Sequence, residues 1–218
     1  MIKKNFGLIG ASGKMGKEIS ALLTEHNYDC VFRYDLSGEE FDNTPQVLID
    51  FSLPEALEKS VGYSLKFNCP LIIGTTGLSN EQLIQLNQLG KKVAIVQSYN
   101  FSIGIQMLLK CTELLNNHLT DWDIEIEEIH HRFKKDKPSG TALMIKNVLN
   151  KDVNISSLRL GNVVGEHSVY FSGLGESLRI THQATSRRTF AEGVLKAVEF
   201  VQKKGNGFFT FHDVLFSK

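Results

Sequence analysis

Through the first hundred residues, short apolar runs alternate with stretches of helical periodicity. Asn5–Ile9 (NFGLI), Cys30–Tyr34, Val47–Phe51 (VLIDF), Leu71–Ile73 and Val93–Val96 read as strands. Met15, Ile19, Leu22 and Leu23 give Lys14–Thr24 an apolar helical face. Ser52 reads as the N-cap of a second helix with Pro54 in its first turn. Ser79 with Gln82 forms a capping-box pattern for a third, which Gly90 closes. Short all-apolar strands joined by helices imply a parallel sheet covered on both faces. Right-handed crossovers make that sheet doubly wound, of Rossmann type.

After Tyr99 the pattern changes. Ile103–Leu119 reads as one long helix with Met107, Cys111, Leu114 and Leu115 on its apolar side. Trp122, Ile124 and Ile126 alternate with Asp123, Glu125 and Glu127, as in a half-buried strand. The next apolar residue, Ile129, is out of phase, which predicts a bulge or a strand end at Glu128. Ala142–Leu149 reads as a helix, and Leu158–Leu160, His167–Phe171 and Leu178–Gln183 as strands. Arg188–Lys204 is a helix and Phe208–Phe211 a last strand. The fold class expected is α/β. A doubly wound domain spans 1–101 and is completed by 187–218, and an α+β domain with a mixed open sheet spans 102–186.

Charge narrows the function. With 24 Lys+Arg against 24 Asp+Glu, the chain offers no basic surface for nucleic acid or an acidic membrane. No run approaches the roughly 20 apolar residues of a membrane span. The N-terminal apolar run is broken at Gly10 and Gly13, too early for a signal segment. The scattered Cys30, Cys69 and Cys111 lie in apolar segments and read as buried free thiols, which points to the cytoplasm.

Glycines then mark a ligand. The segment GLIGASGKMG joins the first strand to the first helix. Its residues Gly10, Ala11, Ser12, Gly13, Lys14 and Met15 bring backbone N–H groups to a helix N-terminus, where a pyrophosphate is favoured. Asp35 ends the second strand, where a carboxylate accepts from a ribose 2′-hydroxyl and repels a 2′-phosphate. Arg33 shares that strand face and leaves some room for the phosphate. The cofactor expected is NADH or NADPH, with NADH at least as good. Gly74, Thr75 and Thr76 close the fourth strand, and Ser98, Tyr99, Asn100 and Phe101 the fifth. In open α/β sheets ligands bind at those carboxyl ends.

Residues 130–143 read HHRFKKDKPSGTAL. Charge runs are commonly solvated loops. Here, however, His130, His131 and Lys134 precede a helix start at Ser139, Gly140 and Thr141, which offers a hydroxyl and exposed N–H groups to a carboxylate. Adjacent histidines rarely reach one ion, so no metal is expected. The chemistry indicated is a small anionic substrate that receives hydride from the dinucleotide and a proton from Lys or His. Arg187 and Arg188 stand where the second domain rejoins the first, and an arginine there can clamp a carboxylate.

The segments GASGKMG, DFSLP, GTTG, NFSIG, EIHHRFKKDKPSGTAL, VGEH and THQATSRRTFAEG, in this order, resemble the 4-hydroxy-tetrahydrodipicolinate reductase (dihydrodipicolinate reductase) family over nearly the whole chain. The resemblance implies a two-domain reductase of the diaminopimelate and lysine pathway. Its second domain would bind a small dicarboxylate and join copies into a homotetramer. Matching places His130 as the catalytic histidine and Lys134 as the proton donor. His131, Ser139, Gly140 and Thr141 fall at the carboxylate-binding places, and Arg187 at an anchoring arginine. Gly10–Met15, Asp35, Gly74–Thr76 and Ser98–Phe101 fall at the cofactor places. Many members carry Glu-Arg where Asp35-Leu36 stands, and little chain separates Asp35 from Val47. Tyr99 stands where a small residue or proline is common. An aspartate or diaminopimelate dehydrogenase would share the first hundred residues' pattern, as would a dinucleotide-sensing regulator. Neither requires HHRFKKDKPSGTAL.

Overall fold

A computed structural model describes residues 4–217. The chain runs β1 (Lys4–Ile9), α1 (Lys14–Glu25), β2 (Tyr28–Asp35), β3 (Gly38–Phe41), β4 (Leu48–Asp50), α2 (Leu57–Phe67), β5 (Leu71–Ile73), α3 (Asn80–Leu89) and β6 (Ala94–Gln97). It continues with α4 (Ile103–His118), β7 (Asp123–His130), α5 (Gly140–Leu149), β8 (Asn154–Arg159), β9 (Gly165–Ser172) and β10 (Ser177–Ala184). It closes with α6 (Arg188–Val201), β11 (Gly207–Thr210) and α7 (Phe211–Phe216). Two compact units result: everything up to Phe101 together with Arg188 onward, and Ser102–Arg187.

The first unit holds a seven-stranded sheet, ordered β11-β6-β5-β4-β1-β2-β3. All its pairs are parallel except β2–β3. The order reverses beside β1, which puts a topological switch point at the carboxyl ends of β1 and β4. Its core packs Ile9, Phe32, Leu48, Leu71, Ile73 and Ile95 with helix residues such as Leu86. The second unit holds a mixed sheet, β10-β9-β7-β8, with β7–β8 its parallel pair. Ile126, Val169 and Phe171 face Ile105 and Leu109 of α4 and Ile145 of α5.

Several expectations need correction. Ser52 does not cap a helix. A 3-10 turn, Pro54–Ala56, precedes α2, and the Ser52 hydroxyl turns back to the buried Asp50 carboxylate. The edge strand β3 (GEEF) was not foreseen, because it is wholly exposed and lacks an alternating pattern. The inward face of α4 is Ile105, Leu108, Leu109 and Thr112, while Met107, Cys111 and Leu114 are exposed. Two adjacent apolar stripes compete on that helix, and the sheet selects one. Only Cys69 of the three thiols is buried. The final strand stops at Thr210, which forms a capping box with Asp213 and starts α7. Most consequentially, β7 has neither bulge nor break at Glu128. It pairs in unbroken register through Ile129 with β9 and through His130 with β8. Glu128 is an inward position, fully buried, in phase with Ile124, Ile126 and His130.

Candidate active site

In the first unit the glycine loop is built by close backbone contact. Gly10 has φ +81°, and a Cβ there would stand 2.7 Å from the Phe51 carbonyl oxygen. At Gly16 a Cβ would meet the Gly10 carbonyl oxygen at 2.2 Å, so α1 rests directly on the loop. Gly13 occupies the N-cap of α1 without a side-chain cap, and no acidic residue sits in the first turn. The helix start is therefore electropositive and suited to a pyrophosphate.

Asp35 closes the loop from the other side. Its Oδ2 accepts from the Ser12 N–H at 2.6 Å and its Oδ1 from the Leu36 N–H at 2.9 Å. Hydrogen bonds from the Ser12 side chain, the Ser12 backbone and the Leu36 backbone hold its carboxyl below the ordinary range, so it is ionised at neutral pH. Arg33, the cation on the Asp35 strand face, lies 3.6 Å from Glu40 across the β2–β3 pair. A cleft of about 430 Å³ opens between Gly10, Ser12, Asp35, Leu36, Phe51 and Lys59, large enough for one end of a dinucleotide.

The other expected cofactor residues divide. Thr75 is buried and donates to Asp50 at 3.0 Å, while accepting from the Ser52 N–H at 3.1 Å. The Ser98 hydroxyl donates to the Asn100 carbonyl oxygen at 2.8 Å. Phe101 is a core residue between Phe51 and Phe211, at ring separations of 5.5 and 5.0 Å. These side chains are engaged internally and shape the loops, so what they offer a ligand is backbone. Thr76 is exposed and Tyr99 half-buried at the same strand ends.

In the second unit, β7 delivers His130 at its last position. Its Nδ1 donates to Glu128 Oε2. Arg159, from the end of β8, grips the same carboxylate with NH1 to Oε2 at 2.9 Å and NH2 to Oε1 at 2.8 Å. Burial pushes the Glu128 carboxyl up, but hydrogen bonds from His130, Arg159 and Ser157 outweigh it and hold the group at about 2. Lys134 follows in a turn. Its Nζ is 2.8 Å from Asp136 Oδ1, so its nearest charged partner is a carboxylate and not the flanking lysines.

Ser139 caps α5 by accepting from the Ala142 N–H at 3.2 Å. Its hydroxyl also lies 3.2 Å from His167 Nε2 on β9. The His167 ring meets the His130 ring edge-on at 5.1 Å. Burial, and secondarily His130, push His167 down to about 3, so it is neutral at physiological pH. Gly140 and Thr141 form the first turn of α5, with Thr141 buried. His131 follows His130 and is half-buried. Arg187 is half-buried in the turn after β10, and none of the hydrogen bonds just described reaches it. It ends the second unit and does not begin the return segment.

Sequence reasoning missed Glu128, Arg159 and His167. A signal existed for the first: a charge at an inward strand position two residues before a histidine. Glu128, His130 and His167 offer ligand atoms within 4.8 Å of one another. The guanidinium already neutralises Glu128, so a second cation beside it would meet repulsion.

A glycine-built helix start suited to a pyrophosphate in one unit, and a serine-capped helix start after a lysine-rich loop in the other, fit a pyridine-nucleotide-dependent oxidoreductase acting on a small acid. The N-terminal model of the dihydrodipicolinate reductase family matches residues 4–101, and the C-terminal model residues 104–215. The chain belongs to the dihydrodipicolinate reductase family. A 4-hydroxy-tetrahydrodipicolinate reductase from Thermosipho africanus is 49% identical over 210 residues, covering 96% of this chain and 97% of its own. One from Clostridium novyi is 37% identical over 246 residues, covering 97% and 98%. A dipicolinate-bound dihydrodipicolinate reductase from Paenisporosarcina sp. TG-14 has the same fold, with TM-score 0.77 and 24% identity over 99% of this chain and 100% of that one. An aspartate dehydrogenase from Thermotoga maritima shares the fold more loosely, with TM-score 0.56 and 12% identity over 92% of this chain and 97% of that one.

Proposed function

We infer that this chain reduces 4-hydroxy-tetrahydrodipicolinate to tetrahydrodipicolinate, with loss of water, in diaminopimelate and lysine biosynthesis. The observation that carries the reading is the cluster built from HHRFKKDKPSGTAL: His130 at a buried carboxylate, Lys134 in the adjoining turn and a serine-capped helix start. The family relationship supplies the substrate's identity. When bound, the dinucleotide would supply hydride to the ring carbon that sheds the hydroxyl, conjugated to the ring C=N bond. Gly10–Met15 hold its pyrophosphate, Asp35 its ribose hydroxyls, and the backbones of Gly74–Thr76 and Ser98–Phe101 its other end. The hydroxyls and N–H groups of Ser139, Gly140 and Thr141, with His131, receive the substrate's carboxylates. Lys134 delivers the proton to the ring nitrogen, His130 orients the ring beside it, and Arg187 anchors the bound acid.

NADH serves at least as well as NADPH. The ionised Asp35 opposes a 2′-phosphate, and Glu40 occupies the one arginine on that strand face. The enzyme works in the cytoplasm as a homotetramer that pairs second-unit sheets. Supporting that reading, no helix among the described residues is long and apolar enough to cross a membrane. The sheet face turned away from α4 and α5 also carries an open polar network of Glu127, Tyr170 and Arg179.

A coupled assay tests the function. The preceding synthase generates substrate in place, and oxidation of NADH and NADPH is followed. Oxidation of NADH at a rate equal to or above that of NADPH is expected. No oxidation of either would overturn the reading.

A further inference from the structure

Arg159 touches more of the second-unit cluster than any residue assigned to it above. Besides gripping both oxygens of Glu128, its Nε donates to the Lys134 carbonyl oxygen at 3.2 Å and its NH2 to the Asp136 carbonyl oxygen at 2.5 Å. One planar cation therefore holds the carboxylate that holds His130 and the backbone that carries Lys134. We propose that the Glu128–Arg159 pair is the positioning device for both His130 and Lys134: Glu128 fixes the His130 ring and Arg159 fixes the Lys134 turn against it. This rests on the roles given to His130 and Lys134 under the proposed function.

The chemistry requires those residue types. An ionised carboxylate only accepts hydrogen bonds, so the His130 nitrogen facing Glu128 must carry its proton. That fixes Nδ1–H and leaves Nε2 as the nitrogen available to substrate. Nε2 points toward Gly165 on β9, where a Cβ would come within 3.2 Å. Glycine keeps that side of the ring open. The charged and titratable groups around His130 are Glu128 from its own strand, Arg159 from β8, neutral His167 from β9, and Lys134 paired with Asp136 from the loop. Lysine at position 159 would place one charge near Glu128 but lacks the flat fork that reaches two carbonyls as well.

Nitrogen chemical shifts of histidine-labelled wild-type protein test the ring directly, without reliance on turnover. A proton on His130 Nδ1 is expected, and a ring protonated only at Nε2, the form usual in water, would overturn the proposal. Kinetics test its consequence. Glu128→Gln and Arg159→Lys are each expected to lower kcat by roughly 10- to 100-fold, less than the roughly 10²- to 10⁴-fold a general acid–base group itself typically contributes, and to leave dinucleotide affinity unchanged. In a His130→Gln background, Glu128→Gln should add less than about twofold, because its effect passes through the ring. Wild-type kcat in both variants, or an equal loss in both backgrounds, would overturn the positioning role. A wild-type chain that reduces nothing would instead sink the proposed function and leave the nitrogen shifts to judge this inference.

Discussion

His167 Nε2 lies 3.2 Å from Ser139 Oγ, so the hydroxyl that caps α5 is also gripped from β9. The folded His167 stays neutral down to about pH 3, chiefly through burial, whereas an unfolded histidine gains a proton near 6.5. Below 6.5 the unfolded chain therefore binds more protons than the folded one, and stability falls as pH drops toward 3. The slope is on the order of 1.4 kcal/mol per pH unit for one such group. His182, also lowered by burial, acts in the same direction. Glu128 contributes stability that is present above about 4.5 and lost toward 2, so its effect lies lower. His167→Gln is expected to flatten the unfolding free energy between pH 6.5 and 5, as read by urea titration. A slope unchanged from wild type would contradict the neutral His167.

Asp50 organises the first unit's loops in the same manner. Fully buried at the end of β4, it accepts from the Ser52 N–H at 2.9 Å, the Ser60 hydroxyl at 2.6 Å and the Thr75 hydroxyl at 3.0 Å. Asp50→Ala leaves these donors without their acceptor. A loss of about 3 kcal/mol or more is expected in urea unfolding, with weaker dinucleotide binding because two strand-end loops lose their tie. A loss below about 1 kcal/mol would mean the hydroxyls find other partners.

How much was readable in advance follows the distance over which each feature is specified. The loop from Gly10 to Gly16 is local: a strand, a turn and a helix start within one stretch, so its glycines mark it. The block from His130 to Thr141 is also contiguous, and its charges and Ser-Gly-Thr start stand out for that reason. Arg159 reaches Glu128 across 31 residues, and His167 reaches Ser139 across 28. Neither distance has a periodic signature. Glu128 was read as an interruption because a charge in an apolar phase normally ends a strand. The arginine that makes its burial tolerable sits on β8, beyond any local pattern. The exposed β3 was missed for a related reason, since its pairing with β2 depends on a sheet edge and not on a hydrophobic rhythm.

Asp35 is the test of cofactor choice. Asp35→Asn keeps an oxygen for the Ser12 N–H and removes the charge that opposes a 2′-phosphate. The ratio of kcat/KM for NADH to that for NADPH is expected to fall by about tenfold, mostly through a lower KM for NADPH, since one like-charge contact is worth on the order of 1.4 kcal/mol at a partly exposed site. An unchanged ratio would move the discrimination elsewhere, with the Arg33–Glu40 pair next in line.

The central claim is that the turn after β7 performs the proton chemistry while the first unit alone holds the dinucleotide. Steady-state turnover of Lys134→Ala, measured beside a fluorescence titration of NADH, tests it most directly. A fall in kcat of about 10²-fold or more with an unchanged NADH dissociation constant is predicted. Wild-type turnover in that variant would contradict the claim.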